Sequence, residues 1–413
     1  MNDFMRFGLF MSPLHPIGED PNLLLRRDLG YAELADEMNY DELWVGEHHS
    51  NGWATIASPE IFLAAASERT RRIKLATGVM ALPYHHPYMA AERAVQLDHL
   101  TRGRFILGVG AGSLASDMHM LGVDPADARR RTQESLETIL ELLRGEPVTK
   151  ETDWFRLQDA RVQHRGFEPG GFEIVVSSAA SPFGMRLAGR LGVNAMSHAA
   201  PPWGMIRAGQ GLGMEKLAEQ WAHLEAAAAE AGRKVDRSTW RLTLPIHVAE
   251  TRDQALQDIS EGWLRQRNEY WADTHGMPMG RSEIGARKAF EATVEGGGII
   301  VGDAEDCVTG IRKLQELTGG FGCLLNSVTD WADPGRTRKS FELFARFVAP
   351  RFKNATAGLQ ESQAWVSAHS GSFQERFTAA RTQAMSAGAG AGTGTAAGAD
   401  SDSGSGSGSG SDA

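Results

Sequence analysis

The fold class predicted by the sequence is α/β: an eightfold β/α barrel of the TIM type, with an insertion and a disordered C-terminal tail. Short apolar runs of strand length alternate with stretches of helical periodicity. Four such strand-then-helix units pass in under 150 residues, and about eight buried strands are available along the chain. The alternation argues for a parallel sheet with helices outside it.

The first run, Phe7 to Met11, is closed by Ser12-Pro13, and the helix behind it places Leu25, Leu29, Ala32 and Ala35 on one face. A second run, Glu42 to Gly46, leads into Glu47-His48-His49. Ser58-Pro59-Glu60 reads as an N-cap with proline at the first helical position. Ile73 to Leu82 is the third strand, ending at Pro83, with a helix from Pro87 to Leu100. Phe105 to Val109 follows, then Gly110-Ala111-Gly112-Ser113. Asp124-Pro125 opens a long amphipathic helix that buries Leu136, Ile139, Leu140 and Leu143, with Gly145 past its end.

The rhythm loosens over Glu146 to Gly171 and resumes with strands at Glu173 to Ser177, Val193 to Ser197 and Leu242 to Val248. Glu269 to Gly298, rich in glycine, methionine and charge, reads as a mobile insertion. Gly298 to Val301 and Cys323 to Asn326, each followed by a helix, complete the series. Residues 1–353 are assigned to the barrel and 354–413 to a tail holding a short helix around Phe373 to Arg381. From Ser386 onward no side chain is larger than threonine or aspartate and none is apolar beyond alanine. Such composition cannot repay the entropy of ordering, so this stretch is expected to be disordered.

A formal net charge of −10, with basic clusters as short as Arg129-Arg130-Arg131, gives no sign of a nucleic-acid or anionic-membrane partner. Two cysteines, Cys307 and Cys323, are too few and too far apart for a disulfide framework or a thiolate metal site. The N-terminus runs into a strand without an apolar targeting segment, and no stretch has the length of a membrane span. A soluble, cytoplasmic protein is expected.

In parallel barrels the active site forms at the carboxyl ends of the strands, and four suggestive stretches fall there. Glu47-His48-His49 brings a carboxylate and two imidazoles to one rim, a plausible proton-handling cluster, although a His-His pair also serves simply to cap a strand. Thr77-Gly78-Val79 puts a glycine where a flat ligand can approach the backbone. Gly108-Val109-Gly110-Ala111-Gly112-Ser113 is half of a dinucleotide fingerprint, with its helix delayed to Asp124, and suits close backbone approach to a ligand. Ser177-Ser178-Ala179-Ala180-Ser181-Pro182 enters a helix through small and hydroxylated residues, an arrangement suited to a phosphate, with Arg129 or Arg130 as countercharge. Metal catalysis fits poorly, since adjacent histidines are not the i, i+4 helical pair of a zinc protease. A Ser-His-Asp hydrolase lacks its Gly-x-Ser-x-Gly elbow.

Taken in order, Arg6-Phe7-Gly8-Leu9-Phe10, Trp44 to His49, Thr77-Gly78-Val79, Leu82-Pro83, His86-Pro87, Leu97-Asp98, Gly103-Arg104-Phe105, Gly108 to Gly112, Ser177 to Pro182 and Gly302-Asp303-Ala304-Glu305 resemble the bacterial-luciferase-like flavin-dependent monooxygenases over roughly residues 4 to 350. Pro16 to Pro21, Gly46 to Ser50, Ile56 to Glu60, Leu82 to Pro87 and Glu151 to Phe155 are most similar to the limonene monooxygenase group. The resemblance implies a two-component reaction. A separate NADH-dependent reductase supplies reduced flavin, FMN or FAD, and this protein binds it, admits O₂ and shields the oxygen chemistry from water. It implies acid/base work for His48 with Glu47 orienting it, a non-prolyl cis peptide at Gly78-Val79 against the flavin ring, and a phosphate turn of Ser178, Ala179, Ala180 and Ser181 with Arg129 as partner. Ala111 stands where bacterial luciferase has an arginine, so the source of phosphate binding on that strand is open.

The substrate pocket is expected to be apolar, drawing on Met11, Trp53, His198, Trp203 and Trp331, with Phe7 given to the core. The implied reaction is epoxidation of limonene or a related monoterpene. Oxygenation or cleavage of another ring, such as an N-heterocycle, deazaflavin-dependent hydride transfer, and a catalytically idle flavin binder are the alternatives. A homodimer and a reductase are the expected protein partners, with no metal.

Overall fold

The computed structural model describes residues 5–12, 14–179, 181–200, 214–280 and 282–390. Eight parallel strands close on themselves: β1 (Arg6–Met11), β2 (Glu42–Val45), β3 (Lys74–Thr77), β4 (Phe105–Gly110), β5 (Glu173–Ser178), β6 (Asn194–His198), β7 (Arg241–Leu244) and β8 (Cys323–Val328). Each pairs with its neighbours in sequence, β3 hydrogen-bonds to β4, and β8 returns to β1 with Arg6 opposite Cys323 and Phe10 opposite Ser327. The expected barrel is therefore observed.

Strand side chains alternate, which sorts the barrel into an outer and an inner core. Phe7, Leu9 and Met11 of β1, with Leu43, Leu75 and Leu107, pack outward against the helices. Phe10, Trp44, Ala76, Ile106, Val175, Met196, Cys323 and Leu325 fill the interior. Gly108 faces inward, where a side chain would meet the Thr77 carbonyl and the Trp44 indole, so the space for Trp44 is made by the absence of a Cβ.

The amino-terminal end of the barrel is filled with charge. Glu42 Oε2 accepts from Arg241 Nε and from Trp44 Nε1, both at 2.8 Å, and Glu42 Oε1 accepts from Arg241 Nη2 and Arg6 Nη1, both at 3.0 Å. Arg241 Nη1 reaches Glu173 Oε1 at 2.8 Å. Glu42 and Arg241 are fully buried. Burial opposes the charge on Arg241, but the carboxylates of Glu42 and Glu173 outweigh it and raise its pKa.

Four expectations are corrected here. Leu242 to Val248 is not one strand: Pro245 interrupts it, and Ile246–Val248 leaves the barrel to pair with Ile300–Gly302, held by Asn326, whose side chain bonds the Ile246 amide and carbonyl. The expected strand at Gly298 to Val301 thus lies outside the barrel. The third strand is likewise broken, into β3 and Met80–Ala81, by a cis peptide between Gly78 and Val79. The segment from Glu269 to Gly298 is largely helical rather than a mobile insertion. The helix Arg252–Arg265 continues in wide π-type turns through Gln266–Thr274, and Glu283–Glu295 forms a further helix whose Ala286 and Phe290 join Trp263 and Trp331 in a second apolar core.

Residues 356–413 form a unit separate from Met1–Ala355. In place of a short helix around Phe373 to Arg381, a helix spans Ala357–Gly390, so helix continues past Ser386, where disorder was expected. Alanine, the strongest helix former, is the commonest residue of this stretch, with Gln, Glu, Arg and Met adding to the same preference. Among the described residues no helix is long and apolar enough to cross a membrane.

Candidate active site

His48 leaves the end of β2 and is held from outside that strand. Its Nδ1 lies 3.4 Å from Asp117 Oδ2, and Asp117 Oδ1 accepts from the His49 amide and the Ser50 hydroxyl. Asp117 sits on the short helix Ala115–Met120 after β4. Burial opposes its ionisation, but the bonds from His48 and Ser50 hold its carboxyl below the usual range. With Nδ1 turned toward a carboxylate, the other ring nitrogen, Nε2, is left for the site.

Glu47 does not orient His48, contrary to expectation. Neighbouring side chains of an extended chain point apart, and Glu47 is committed elsewhere. Its Oε1 accepts from His49 Nε2 and His85 Nε2, each at 2.8 Å, and its Oε2 from the Ala81 amide at 2.8 Å. Burial opposes ionisation, and these donors outweigh it to hold the carboxyl low. Glu47 therefore anchors the segment after the cis peptide to the end of β2. The Glu47 hydrogen bond also raises the pKa of His49.

Sequence reasoning missed Asp117, His85 and a third imidazole. His275 stacks edge-on against Tyr270, 4.6 Å between centroids, and its buried Nε2 has no partner among the described residues. Burial lowers its pKa, and the charge of nearby His48 lowers it further. Nothing in the Gly- and Met-rich stretch around His275 marks it, because the contact is made only when the π-type turns fold back over the barrel.

The Gly78–Val79 peptide lies above the inner core, with Phe10 and the Trp44 Cβ beneath Gly78. At the end of β5, Ser178 Oγ donates to the Ser181 carbonyl at 3.1 Å and Gln220 Nε2 donates to the Ala179 carbonyl at 3.2 Å. The helix Phe183–Leu191 starts there without a side-chain cap, which leaves its first amides as donors. Ala180 and Trp203 lie outside the described residues. Arg129 is exposed, and no contact among the described residues brings it to this turn. Its neighbour Arg130 is taken by Asp127, Glu134 and Asp153.

A cavity enclosing about 830 Å³, its open mouth included, lies at the carboxyl ends of β1, β6, β7 and β8. Its apolar wall is Phe10, Leu14, Trp263, Trp271, Met279 and Trp331. His198 reaches it from β6, with Nδ1 3.1 Å from Thr243 Oγ1, and burial pushes its pKa down to about 4, so the ring is neutral at physiological pH. Two expected wall residues do not line it. Met11 points outward into the helical layer by the strand's period of two, and Phe10 takes the inward place. Trp53 packs one layer back, on Tyr270 at 5.4 Å.

The loop before this wall is fixed by a buried charge cluster. His15 Nδ1 is 2.7 Å from Asp330 Oδ2, which also binds Arg27, and His15 Nε2 is 3.0 Å from Asp28 Oδ2. Burial favours the neutral ring, but the bonds to Asp28 and Asp330 prevail and raise its pKa from 6.5 to about 9. A pKa raised by folding stabilises the native state fully below about pH 6.5 and loses that contribution as pH rises through 9. As pH rises through those limits the native chain should therefore lose roughly 3 kcal/mol of unfolding free energy that H15Q does not lose, as measured by urea unfolding. Parallel stability profiles for the two proteins would reject the charged-imidazole assignment.

A profile of the Luciferase-like monooxygenase family matches residues 5–319. The chain is 57% identical over 361 residues to 4-hydroxyprotoasukamycin monooxygenase of Streptomyces nodosus subsp. asukaensis, covering 87% of this chain and 95% of that protein. It is 43% identical over 353 residues to limonene 1,2-monooxygenase of Rhodococcus erythropolis, covering 85% and 88%. Among solved structures, the oxygenating constituent of 3,6-diketocamphane monooxygenase from Pseudomonas putida, a type II Baeyer-Villiger monooxygenase in complex with FMN, superposes with a TM-score of 0.69 at 27% identity, over 84% of this chain and 98% of that one. The barrel and these matches agree, and the chain belongs to the luciferase-like flavin monooxygenase family.

Proposed function

We propose that this protein, working as a homodimer with a separate NADH-dependent reductase, uses reduced FMN and O₂ to insert one oxygen atom into an apolar ring, with epoxidation of limonene or a related monoterpene as the reference reaction. The observation that carries this reading is the aromatic-walled cavity at the carboxyl mouth, whose wall residue Trp271 packs on His275 at 5.8 Å between ring centroids. The uncapped start of the helix Phe183–Leu191, behind the end of β5, leaves backbone amides suited to the phosphate of a flavin.

Bound reduced flavin supplies the electrons and the oxygen activation. The chain's own part is to orient the ring, exclude water and manage one proton. His48, with Nδ1 directed at Asp117, presents Nε2 to hold or deliver that proton. The aromatic wall positions a ring substrate by shape. The 57% identical relative is named for a substrate other than limonene, so the substrate panel decides the olefin.

The test is a panel of cyclic olefins and N-heterocycles with chemically reduced FMN or FAD and isotopically labelled O₂, scored by mass spectrometry. One labelled oxygen in a ring product is expected with FMN. Product without label, or turnover only with a reduced deazaflavin, would reject the oxygenase reading.

A further inference from the structure

The aromatic cavity contains more hydrogen-bond donors than a hydrocarbon can use. Trp331 Nε1 donates to Gln266 Oε1 at 2.8 Å, which fixes the acceptor end of the amide and leaves its NH₂ without a partner among the described residues. Beside it, Arg267 lines the same wall. Nη1 of Arg267 donates to Asn268 Oδ1 at 2.9 Å and Nη2 to the Gly280 carbonyl at 3.1 Å. A guanidinium has five N–H protons, and among the described residues no carboxylate pairs with this one. By contrast His198 and Thr243, the other polar pair in the cavity, bond to each other.

Position and context argue against a packing role. Gln266 and Arg267 open the π-type turns of Gln266–Thr274, a local geometry that re-aims side chains and recurs at functional sites. Donors that line an aromatic pocket without a protein partner are available to orient a ligand's acceptor. Both groups present donors to the cavity: the guanidinium has no acceptor, and the Gln266 oxygen is held by Trp331 Nε1.

From this, and resting on the ring-oxygenase reading, we infer that the substrate ring carries an acceptor oxygen, such as a ketone conjugated to the double bond, and that Gln266 and Arg267 bind that oxygen while the aromatic wall holds the carbon skeleton. Such a site favours a ligand that bears the oxygen over an analogue lacking it, because only the former completes these donors.

The probe pair is limonene and carvone, which share a skeleton and differ by the ring carbonyl of carvone. Binding of each to the full-length protein, with and without FMN, is measured by calorimetry. Carvone is expected to bind at least ~10-fold more tightly. Gln266→Glu keeps an oxygen for Trp331 and replaces the NH₂ by a carboxylate oxygen, so the carvone-to-limonene affinity ratio should collapse toward one. Arg267→Met should reduce the same ratio.

Equal affinities in the native protein, or a Gln266→Glu change that weakens both ligands alike, would overturn the assignment. Failure to bind FMN would strike the flavin reading instead, and the ratio measured without FMN keeps the two questions apart.

Discussion

His48→Ala is expected to lower oxygenated-product formation by roughly 10²–10⁴-fold, the range that a positioned acid/base group contributes. The unfolding midpoint and the affinity for FMN should stay close to those of the native chain, because His48 is partly exposed and its bond to Asp117 at 3.4 Å is long. Asp117→Asn is the informative companion. It preserves shape and removes the carboxylate that turns the ring, so it should give a smaller loss and a shifted pH profile for turnover. Glu47→Gln should act differently again, weakening the packing of the Ala81 and His85 segment more than the chemistry. Undiminished product from His48→Ala would remove the imidazole from the reaction, and the site would then be no more than a flavin cradle.

Arg241→Met should destabilise the fold by about 3–5 kcal/mol, the cost of leaving a buried carboxylate without its partner. Glu42 is fully enclosed and takes two of its four hydrogen bonds from Arg241, with Arg6 and Trp44 supplying the others. Neither of those can replace a bidentate guanidinium in the barrel interior. The double variant E42L/R241M removes both charges and should recover much of the loss, since an ion pair replaced by apolar groups of similar volume is often near neutral. Urea unfolding of the three proteins measures this directly. Equal destabilisation in single and double variants would mean that packing, and not the stranded charge, holds this layer.

The barrel could be read from the sequence because its strands are short apolar runs set between helices with proline and glycine boundaries, such as Pro59, Pro87 and Gly145. Those signals are local. Where a strand was broken, the cause was also local but ambiguous: Pro245 sits inside an apolar run that continues beyond it, and only the pairing partner Ile300–Gly302 reveals the departure. The site was readable in part, for a different reason. His48 and the Ser177 turn stand at strand ends, where period and position point to the mouth. Asp117 and His85 reach their partners across 69 and 38 residues of chain, and no spacing encodes such contacts. Met11 was misplaced by one residue, which in a strand means the opposite face. The tail helix escaped because its few large apolar residues, among them Trp365, Phe373 and Phe377, are exposed and scattered among Ala, Ser and Gly.

The ionic layer formed by Glu42, Arg241 and Glu173 has a consequence for traffic. It corks one end of the tube with groups that neither an oily molecule nor dioxygen has reason to cross. Under the proposed function, ligands would then enter and leave at the opposite end, where the cavity opens, and product departure and cofactor exchange would share that passage, so the slow step of the cycle is to be sought there as much as at the reacting bond.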